Sequence, residues 1–548
     1  MAKTRTIPFR YTAYLLSLAG FLISLLATVL LEGRGIVLPL VFGALTVLGT
    51  WDLLQRKRTI SRNYPILAHF RYFLESIGPE IRQYFIQSDT EERPFSREQR
   101  TIIYQRAKNV LDKRPLGSQL SMYNEGFEWI NHSLRPVQLT NSDFRIVIGK
   151  HCDKPYNASV FNISAMSFGS LSANAILSLN TGAKMGGFYH DTGEGSISRY
   201  HREPGGDLVW EIGSGYFGCR HEDGTFNEEM FVRNATTDQV KMIEVKLSQG
   251  AKPGHGGILP GEKVTPEIAE ARGVKPGEEV ISPASHSAFS TPIELLEFLE
   301  RLRELSGGKP VGFKLAIGHP WEWFAIVKAM LETGKKPDFI VVDGGEGGTG
   351  AAPLEFINRL GTPMKEALLL VHNTLVGTNL REDIAIGAAG KITSAFNVAR
   401  TLALGADWCN AARGYMFSLG CIQALNCHTG KCPSGVATQD PRRSRKLDVR
   451  DKSQRVYNYH RNTLDALMNL LAASGLRHPS ELGPEHIIRR TSRTEIHSYL
   501  ELYPFLEPGA LLKGKTGERV FDIYWPDATA HSFDPPEFIR ELRETKLQ

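Results

Sequence analysis

The sequence predicts an α/β protein. Repeated β–α units from about residue 141 to 440 form either a closed (β/α)8 barrel or a doubly wound sheet. An N-terminal transmembrane helical hairpin precedes them, and helical extensions flank them. Three observations predict this. Two long uncharged stretches open the chain. Short apolar strands, Gly-rich turns and amphipathic helices then alternate through the middle. Those strands end in Gly, Ser, Thr or a charged residue, as they do where the C-terminal mouth of a barrel holds the site. The expected divisions are 1–58 for the hairpin, 59–140 for a helical extension, 141–440 for the α/β body and 441–548 for a C-terminal helical extension.

Residues 11–31 carry no charge and exceed the roughly 20 apolar residues that span a bilayer as a helix. After Glu32-Gly33-Arg34-Gly35 a second uncharged run covers 36–51; it is shorter and contains Pro39. Lys3, Arg5 and Arg10 precede the pair, and Arg56, Lys57, Arg58 and Arg62 follow it, whereas the loop sets one Arg34 against Glu32. This bias places both ends and the body on the cytoplasmic side of the plasma (inner) membrane. A cleaved signal peptide, the competing reading, has an apolar region of about 7–15 residues and no second span.

Residues 59–140 are mixed and charged and hold no chemical motif. Strands are expected at 162–168, 188–191, 242–247, 311–317, 339–343, 384–387 and 408–411, with an eighth around 213–220. Between them, 291–305 reads as a helix: Ile293, Leu295, Leu296, Leu299, Leu302 and Leu305 make one apolar face, Pro292 sits early and Gly307 ends it. The stretch 441–455 is basic, a solvated face or a contact for anionic lipid, and 456–471 reads as a helix outside the body. A net charge of +5 over 548 residues predicts no nucleic-acid partner.

Six cysteines are too few for a disulfide scaffold in a chain this long. Three crowd together as Cys421-x5-Cys427-x4-Cys432-Pro433, and thiolates so spaced can converge on one metal centre. A cysteine followed by proline recurs at iron–sulfur sites. Three ligands suit a three-iron cluster, or a four-iron one with an outside ligand such as Cys409. Zinc with His428 as fourth ligand, or three unpaired core cysteines, also fit the spacing.

The run from Gly420 through Cys421, Cys427, His428, Cys432, Pro433 and Ser434 to Gln439 resembles the cluster loop of the glutamate synthases. Four further segments resemble that family in order: Ser164-Ala165-Met166-Ser167-Phe168-Gly169, Thr192-Gly193-Glu194-Gly195, Gln249-Gly250-Ala251-Lys252-Pro253-Gly254, and Asp343-Gly344-Gly345-Glu346-Gly347-Gly348-Thr349-Gly350-Ala351. The resemblance implies a (β/α)8 TIM barrel that binds FMN, and a 3Fe-4S cluster on Cys421, Cys427 and Cys432. It implies flavin contacts from Ser164, Ala165, Met166, Ser167, Thr192, Gly193, Gln249, Asp343, Gly344 and Gly345.

Flavin phosphate needs backbone N–H donors and positive charge beside the last barrel strands. Gly387, Gly390 and Lys391, with Arg413 and Gly414, stand at the ends of the last two expected strands. Lys314 interrupts the apolar strand 311–315, where burial without a partner is costly. Facing the mouth, it is a candidate to stabilise anionic reduced flavin or to bind a carboxylate, and the resemblance implies a similar role. Glu194 is a candidate proton or ammonium handler, with a structural turn residue as the alternative. Gly345-x-Gly347-x-x-Gly350 formally fits a dinucleotide fingerprint, but no acidic residue stands about 20 positions later and Pro353 interrupts the helix start. These glycines are expected instead to let the backbone approach flavin or substrate.

Members of the family make glutamate by reducing 2-iminoglutarate. No glutamine-hydrolysing domain is visible here, so ammonia is expected from solution or a separate amidotransferase subunit. Electrons are expected through the cluster from ferredoxin or a partner reductase. Where the family places a Ser-Glu pair after the strand lysine, Ala316-Ile317-Gly318-His319 stands. Asp191 replaces the usual asparagine before the Thr-Gly-Glu-Gly turn, and His255 the usual glutamate after Pro-Gly. Removing polar substrate contacts while keeping flavin contacts preserves hydride chemistry and changes specificity. The substrate is therefore expected to be a 2-oxo acid with ammonia. An N-methylglutamate synthase, another FMN oxidoreductase on the same barrel, or an electron-transfer subunit are the alternatives.

Overall fold

A computed structural model describes residues 9–31, 35–55, 57–88, 90 and 93–547. The flanking charges Lys3, Arg5 and Arg56 and the turn Glu32-Gly33-Arg34 lie outside the described residues. The chain forms two compact units, Met1–Glu98 and Gln99–Gln548.

In the first unit, α1 (Thr12–Leu30) and α2 (Val37–Leu54) are long and apolar enough to cross a membrane, with 6% and 17% of their span residues buried. So little burial is unlike the core helix of a soluble domain. Small residues let them close on each other. A side chain at Gly49 would meet the Tyr14 ring at 2.5 Å, and one at Gly20 would meet Phe42 at 2.8 Å. Pro39 falls in the first turn of α2, where its missing N–H costs no helical bond. A third helix, α3 (Leu67–Ile81), runs on into a π-helical turn at Arg82–Ile86.

In the second unit eight parallel strands close into a barrel, which excludes the doubly wound sheet. They are β1 (Phe161–Ile163), β2 (His190–Asp191), β3 (Leu208–Ile212), β4 (Val240–Lys246), β5 (Val311–Leu315), β6 (Phe339–Asp343), β7 (Ala385–Ala389) and β8 (Trp408–Ala411). The ring follows chain order, and Cys409 pairs with Phe161 to close it. The expected eighth strand is misplaced. It is β3, and 213–220 is the loop beyond its end, because Glu211 breaks an otherwise apolar run of five buried residues. The strand expected over 162–168 stops at Ile163, and 164–168 is the loop above it.

Around the barrel, α4 (Ala173–Gly186) starts on Ser172, whose side chain accepts from the Ala175 N–H. The expected 291–305 helix is α5 (Pro292–Leu305), opened by a capping box in which Thr291 and Glu294 satisfy each other's backbone N–H. The C-terminal helix is longer than expected. α6 (Val449–Ala473) takes in half of the basic stretch and packs on α4 where Gly182 admits Val456. The stretch expected to be helical to residue 140 is helical only to Ala107. Glu128–Ile130 then joins Ile487–Arg490 and Ile496–Ser498 in a three-stranded sheet.

Candidate active site at the barrel mouth

The barrel interior is layered by the two-residue repeat of its strands. Tyr189, Val209, Met242, Phe339, Val341 and Trp408 form an apolar layer, sealed below by Ile148, Tyr156 and Ala158 of an antiparallel hairpin. Gly312 belongs at this level because a side chain there would strike the Phe339 carbonyl at 2.1 Å. Two residues up each strand the chemistry changes from apolar to charged: Asp191, Glu211, Glu244 and Asp343 follow Tyr189, Val209, Met242 and Val341, and Lys314 follows Gly312. Each of them sits just below the C-terminal mouth.

Lys314 is 3% exposed, so it is no surface lysine. Its ammonium donates to Glu211 Oε2 and lies 3.4 Å from Glu244 Oε1. Burial alone would lower its pKa, but Glu211, Glu244, Asp191 and Asp343 outweigh burial and hold it well above the ordinary lysine range. Burial, with Glu211 beside it, pushes Asp191 up to about 7, against the pull of Lys314 and the Gly193 N–H. Glu244 is driven well up by burial and by Asp191. Ligand oxygens of Asp191, Glu211 and Glu244 lie within 4.8 Å of one another, a spacing that would suit a cation. The Lys314 ammonium is that cation. With Lys314 charged and the neighbouring acids shifted toward their protonated forms, the layer sets a fixed positive charge among crowded acidic groups.

Above this layer the mouth loops assemble. Ser164, Ala165, Met166 and Ser167 leave β1 between its neighbours: Ser164 N–H donates to Ala411 O at 3.1 Å and Met166 N–H to Asp191 O at 3.2 Å. Gly193 adopts φ 65° against that run, where a side chain would meet the Ser167 nitrogen at 3.0 Å. Thr192 Oγ1 accepts from the Glu211 N–H at 3.1 Å. Glu194 receives Lys246 Nζ at 2.5 Å. Burial would raise the Glu194 pKa, yet Lys246, then Arg272 and Lys252, hold it to about 2. Glu194 is thus a fixed carboxylate, which suits holding a cation or orienting a donor better than delivering a proton. Together with Lys246, Gln249, Lys252 and His255 it lines a cleft of about 320 Å³, part of it open to solvent.

The glycine loop after β6 is folded on protein. Gly344 N–H donates to Ala389 O and Gly345 N–H to Thr362 O, each at 2.8 Å. A side chain at Gly344 would strike Met364 at 2.4 Å and one at Gly345 the Gly361 carbonyl at 2.8 Å. Their need for glycine is therefore met by packing within the chain. The next helix starts only after Pro353, so no dinucleotide-type helix follows the glycines. Asp343 Oδ2 accepts from Gly250 N–H at 2.8 Å, and a Gly250 side chain would lie 1.7 Å from Gly344 O. The loops above β4 and β6 are locked together by that contact.

Gly387 is mid-strand rather than at a strand end; its missing side chain admits the Trp408 ring. Gly390 and Lys391 do follow β7, with Lys391 at φ 51°. Arg413 and Gly414 open the short helix after β8, where Ala412 offers no side-chain cap to the first-turn N–H groups. Arg413 donates to Glu346 O at 2.8 Å; burial brings its pKa down to about 10, against Asp343 and Glu346. Two basic side chains and uncapped backbone donors at the ends of β7 and β8 form a donor set that fits a phosphate.

The cysteine loop is stitched to the loop above β1. Gln439 Nε2 donates to Gly169 O and Leu171 O at 3.0 and 2.9 Å, while Ser172 donates through N–H to Val436 O and through Oγ to Gly435 O. Burial raises the Cys421 thiol to about 12, and the nearby Cys427 and Cys432 add to it. Burial also acts on Cys432, but the Ser434 hydroxyl and the N–H groups of Ala437, Ser434 and Val436 prevail and bring its pKa down. Such N–H donors to sulfur are what an iron–sulfur thiolate needs. Among the described residues the three sulfurs do not form a set within 4.8 Å, whereas one zinc with about 2.3 Å bonds would draw them to about 3.8 Å. Cys409 is set apart in the wall, where Thr401 bonds its sulfur.

Sequence reasoning missed Glu211 and Glu244. The available signal was the one that picked out Lys314, a charge inside an apolar strand, in Leu-Val-Trp-Glu-Ile and Val-Lys-Met-Ile-Glu-Val.

Comparison with known proteins covers this same region. The conserved region in glutamate synthase matches residues 107–477. The chain is 40% identical over 483 residues to the glutamate synthase large subunit-like protein YerD of Bacillus subtilis, covering 80% of this chain and 91% of that one. It is 36% identical over 315 residues to the archaeal glutamate synthase (NADPH) of Methanocaldococcus jannaschii, covering 57% of this chain and 58% of the relative. Against the glutamate synthase (NADPH) large chain of Bacillus subtilis it is 31% identical over 346 residues, only 21% of that protein.

Proposed function

The chain belongs to the glutamate synthase family, and from that premise we propose a membrane-tethered oxidoreductase that reduces a 2-imino acid, 2-iminoglutarate, to the amino acid glutamate, using FMN and a 3Fe-4S cluster. The observation that carries this reading is the joining of the cysteine loop to the loop above β1, at the barrel mouth, through Gln439 and Ser172. FMN, when bound, supplies the hydride that reduces the imine carbon, and the cluster supplies electrons to it. Lys391 and Arg413 would hold the flavin phosphate, the Ser164–Ser167 and Thr192–Gly193 loops would supply contacts to the flavin, and Cys421, Cys427 and Cys432 would hold the iron. Lys314 places a fixed positive charge beneath the mouth. Glu194 stays ionised and, with Lys246 and Lys252 around it, orients a charged substrate in the cleft. The hairpin α1–α2 anchors the body on the cytoplasmic side; ferredoxin or a partner reductase delivers electrons, and ammonia comes from solution or a separate amidotransferase.

One observation favours a second substrate. Ala316 and Ile317 are buried and His319 stacks on Trp321 at 4.1 Å, so the segment after β5 is apolar and aromatic where the family places a Ser-Glu pair. An N-methylglutamate synthase-like reaction or a less polar 2-oxo acid suits that change. Purified protein with an artificial reductant, 2-oxoglutarate and either ammonium or methylamine distinguishes the two by product mass. Glutamate from ammonium supports the first reading. N-methylglutamate alone supports the second, and no product with a flavin that still cycles through a partner favours an electron-transfer subunit or another FMN oxidoreductase on the same barrel.

A further inference from the structure

We propose that α3 is an interfacial helix that lies along the cytoplasmic phospholipid surface beside the end of α2; this rests on the membrane reading of α1 and α2. Leu67, Phe70, Phe73, Leu74, Ile77 and Ile81 recur at spacings of three and four and so share one stripe of the helix. Phe70 is 66% exposed, Phe73 56% and Leu67 50%, a contiguous apolar face of the kind a soluble surface rarely leaves open. The stripe continues into Phe85 and Ile86, both exposed. On the other side Ala68 is buried and Arg71 pairs with Glu75 at 2.8 Å. The helix is thus two-faced rather than misfolded.

What fixes its depth is Asp52, in the last turn of α2 and 2% exposed. Its carboxylate accepts from the Ile66 N–H at 3.0 Å and bonds His69 Nε2 at 3.0 Å. The start of α3 is therefore pinned at the level where the second apolar helix ends. Trp51 and Tyr64, both exposed, stand at that level, where aromatic side chains favour the headgroup boundary. Between residues 57 and 82 five basic residues (Lys57, Arg58, Arg62, Arg71, Arg82) face two acidic ones (Glu75, Glu80), which suits an anionic leaflet. An apolar stripe, a pinned depth and a basic surround identify the occupant as lipid.

The test places p-benzoylphenylalanine at Phe73, at Glu75 or at Leu26 of α1 in the full-length protein, reconstituted in phosphatidylcholine vesicles containing phosphatidylglycerol. All three positions are exposed. After illumination, the expected result is phospholipid adducts at positions 26 and 73, several-fold above those at 75. A crosslink from 73 to protein in place of lipid, within the chain or to a second copy, overturns the proposal, as do equal lipid yields at 73 and 75. Lipid at 26 without lipid at 73 removes only the interfacial helix; no lipid at 26 removes the membrane reading on which it rests.

Discussion

Lys314 shows how one residue sets the character of the site. A lone ammonium among three buried acidic side chains and the partly buried Asp343 stays charged because its neighbours cost more free energy without it. Replacing it, Lys314→Met, is expected to lower kcat by about 100-fold or more, the scale of losing one preorganised charge stabiliser. An activity within a few-fold of the parent would remove Lys314 from the chemistry. Asp191 makes a separate prediction. Its folded pKa of about 7 lies above its ordinary 3.8, so across that window the folded state binds the extra proton. Stability against denaturant should therefore fall as pH rises from about 4 to about 7, and Asp191→Asn should flatten that slope. A slope left unchanged by the substitution would place the titrating proton elsewhere.

At the scale of elements, loops touch where side chains are absent. Gly250→Ala puts a carbon on the Gly344 carbonyl and breaks the Asp343 clasp between the loops above β4 and β6. The expected cost is about 1–3 kcal/mol in thermal denaturation, with weakened flavin retention. Unchanged melting and retention would contradict the clasp. The alternation of strands and helices was legible in the sequence because it follows local rules, short apolar runs between turn signals and apolar residues at helical spacing; closure into a barrel was implied by the family resemblance. Leu295, Leu296, Leu299 and Leu302, all buried on one face of α5, announce themselves within a few positions. Glu211 and Glu244 did not, since a charge in a strand explains itself only when a neighbouring strand brings Lys314 beside it. Likewise the roles of Gly344 and Gly387 depend on Met364 and Trp408, contacts that only the closed barrel makes.

On the scale of the whole molecule, the segments before and after the barrel are tied to it through Glu128. Its carboxylate accepts from Lys365, from Arg400 at 2.7 Å and from Tyr499 at 2.6 Å, joining the three-stranded sheet to the outer helices of the body. Burial would raise the Glu128 pKa, but Arg400 and Lys365 hold it to about 2. A depressed carboxylate stabilises the fold above its ordinary 4.5, and that contribution is lost as pH falls toward 2. Glu128→Ala leaves two partly buried cations without their carboxylate and should cost about 1–3 kcal/mol at neutral pH, read by denaturant titration. A variant as stable as the parent would show the extensions are held some other way.

The central claim, that flavin and iron share one mouth of this barrel, is tested most directly by visible spectra of the detergent-purified protein together with flavin and metal quantification. The expected result is flavin bands overlaid on iron–sulfur absorbance, about one FMN and about three irons per chain, with the iron lost in Cys427→Ser and the flavin retained. Colourless protein containing zinc and no flavin would contradict it.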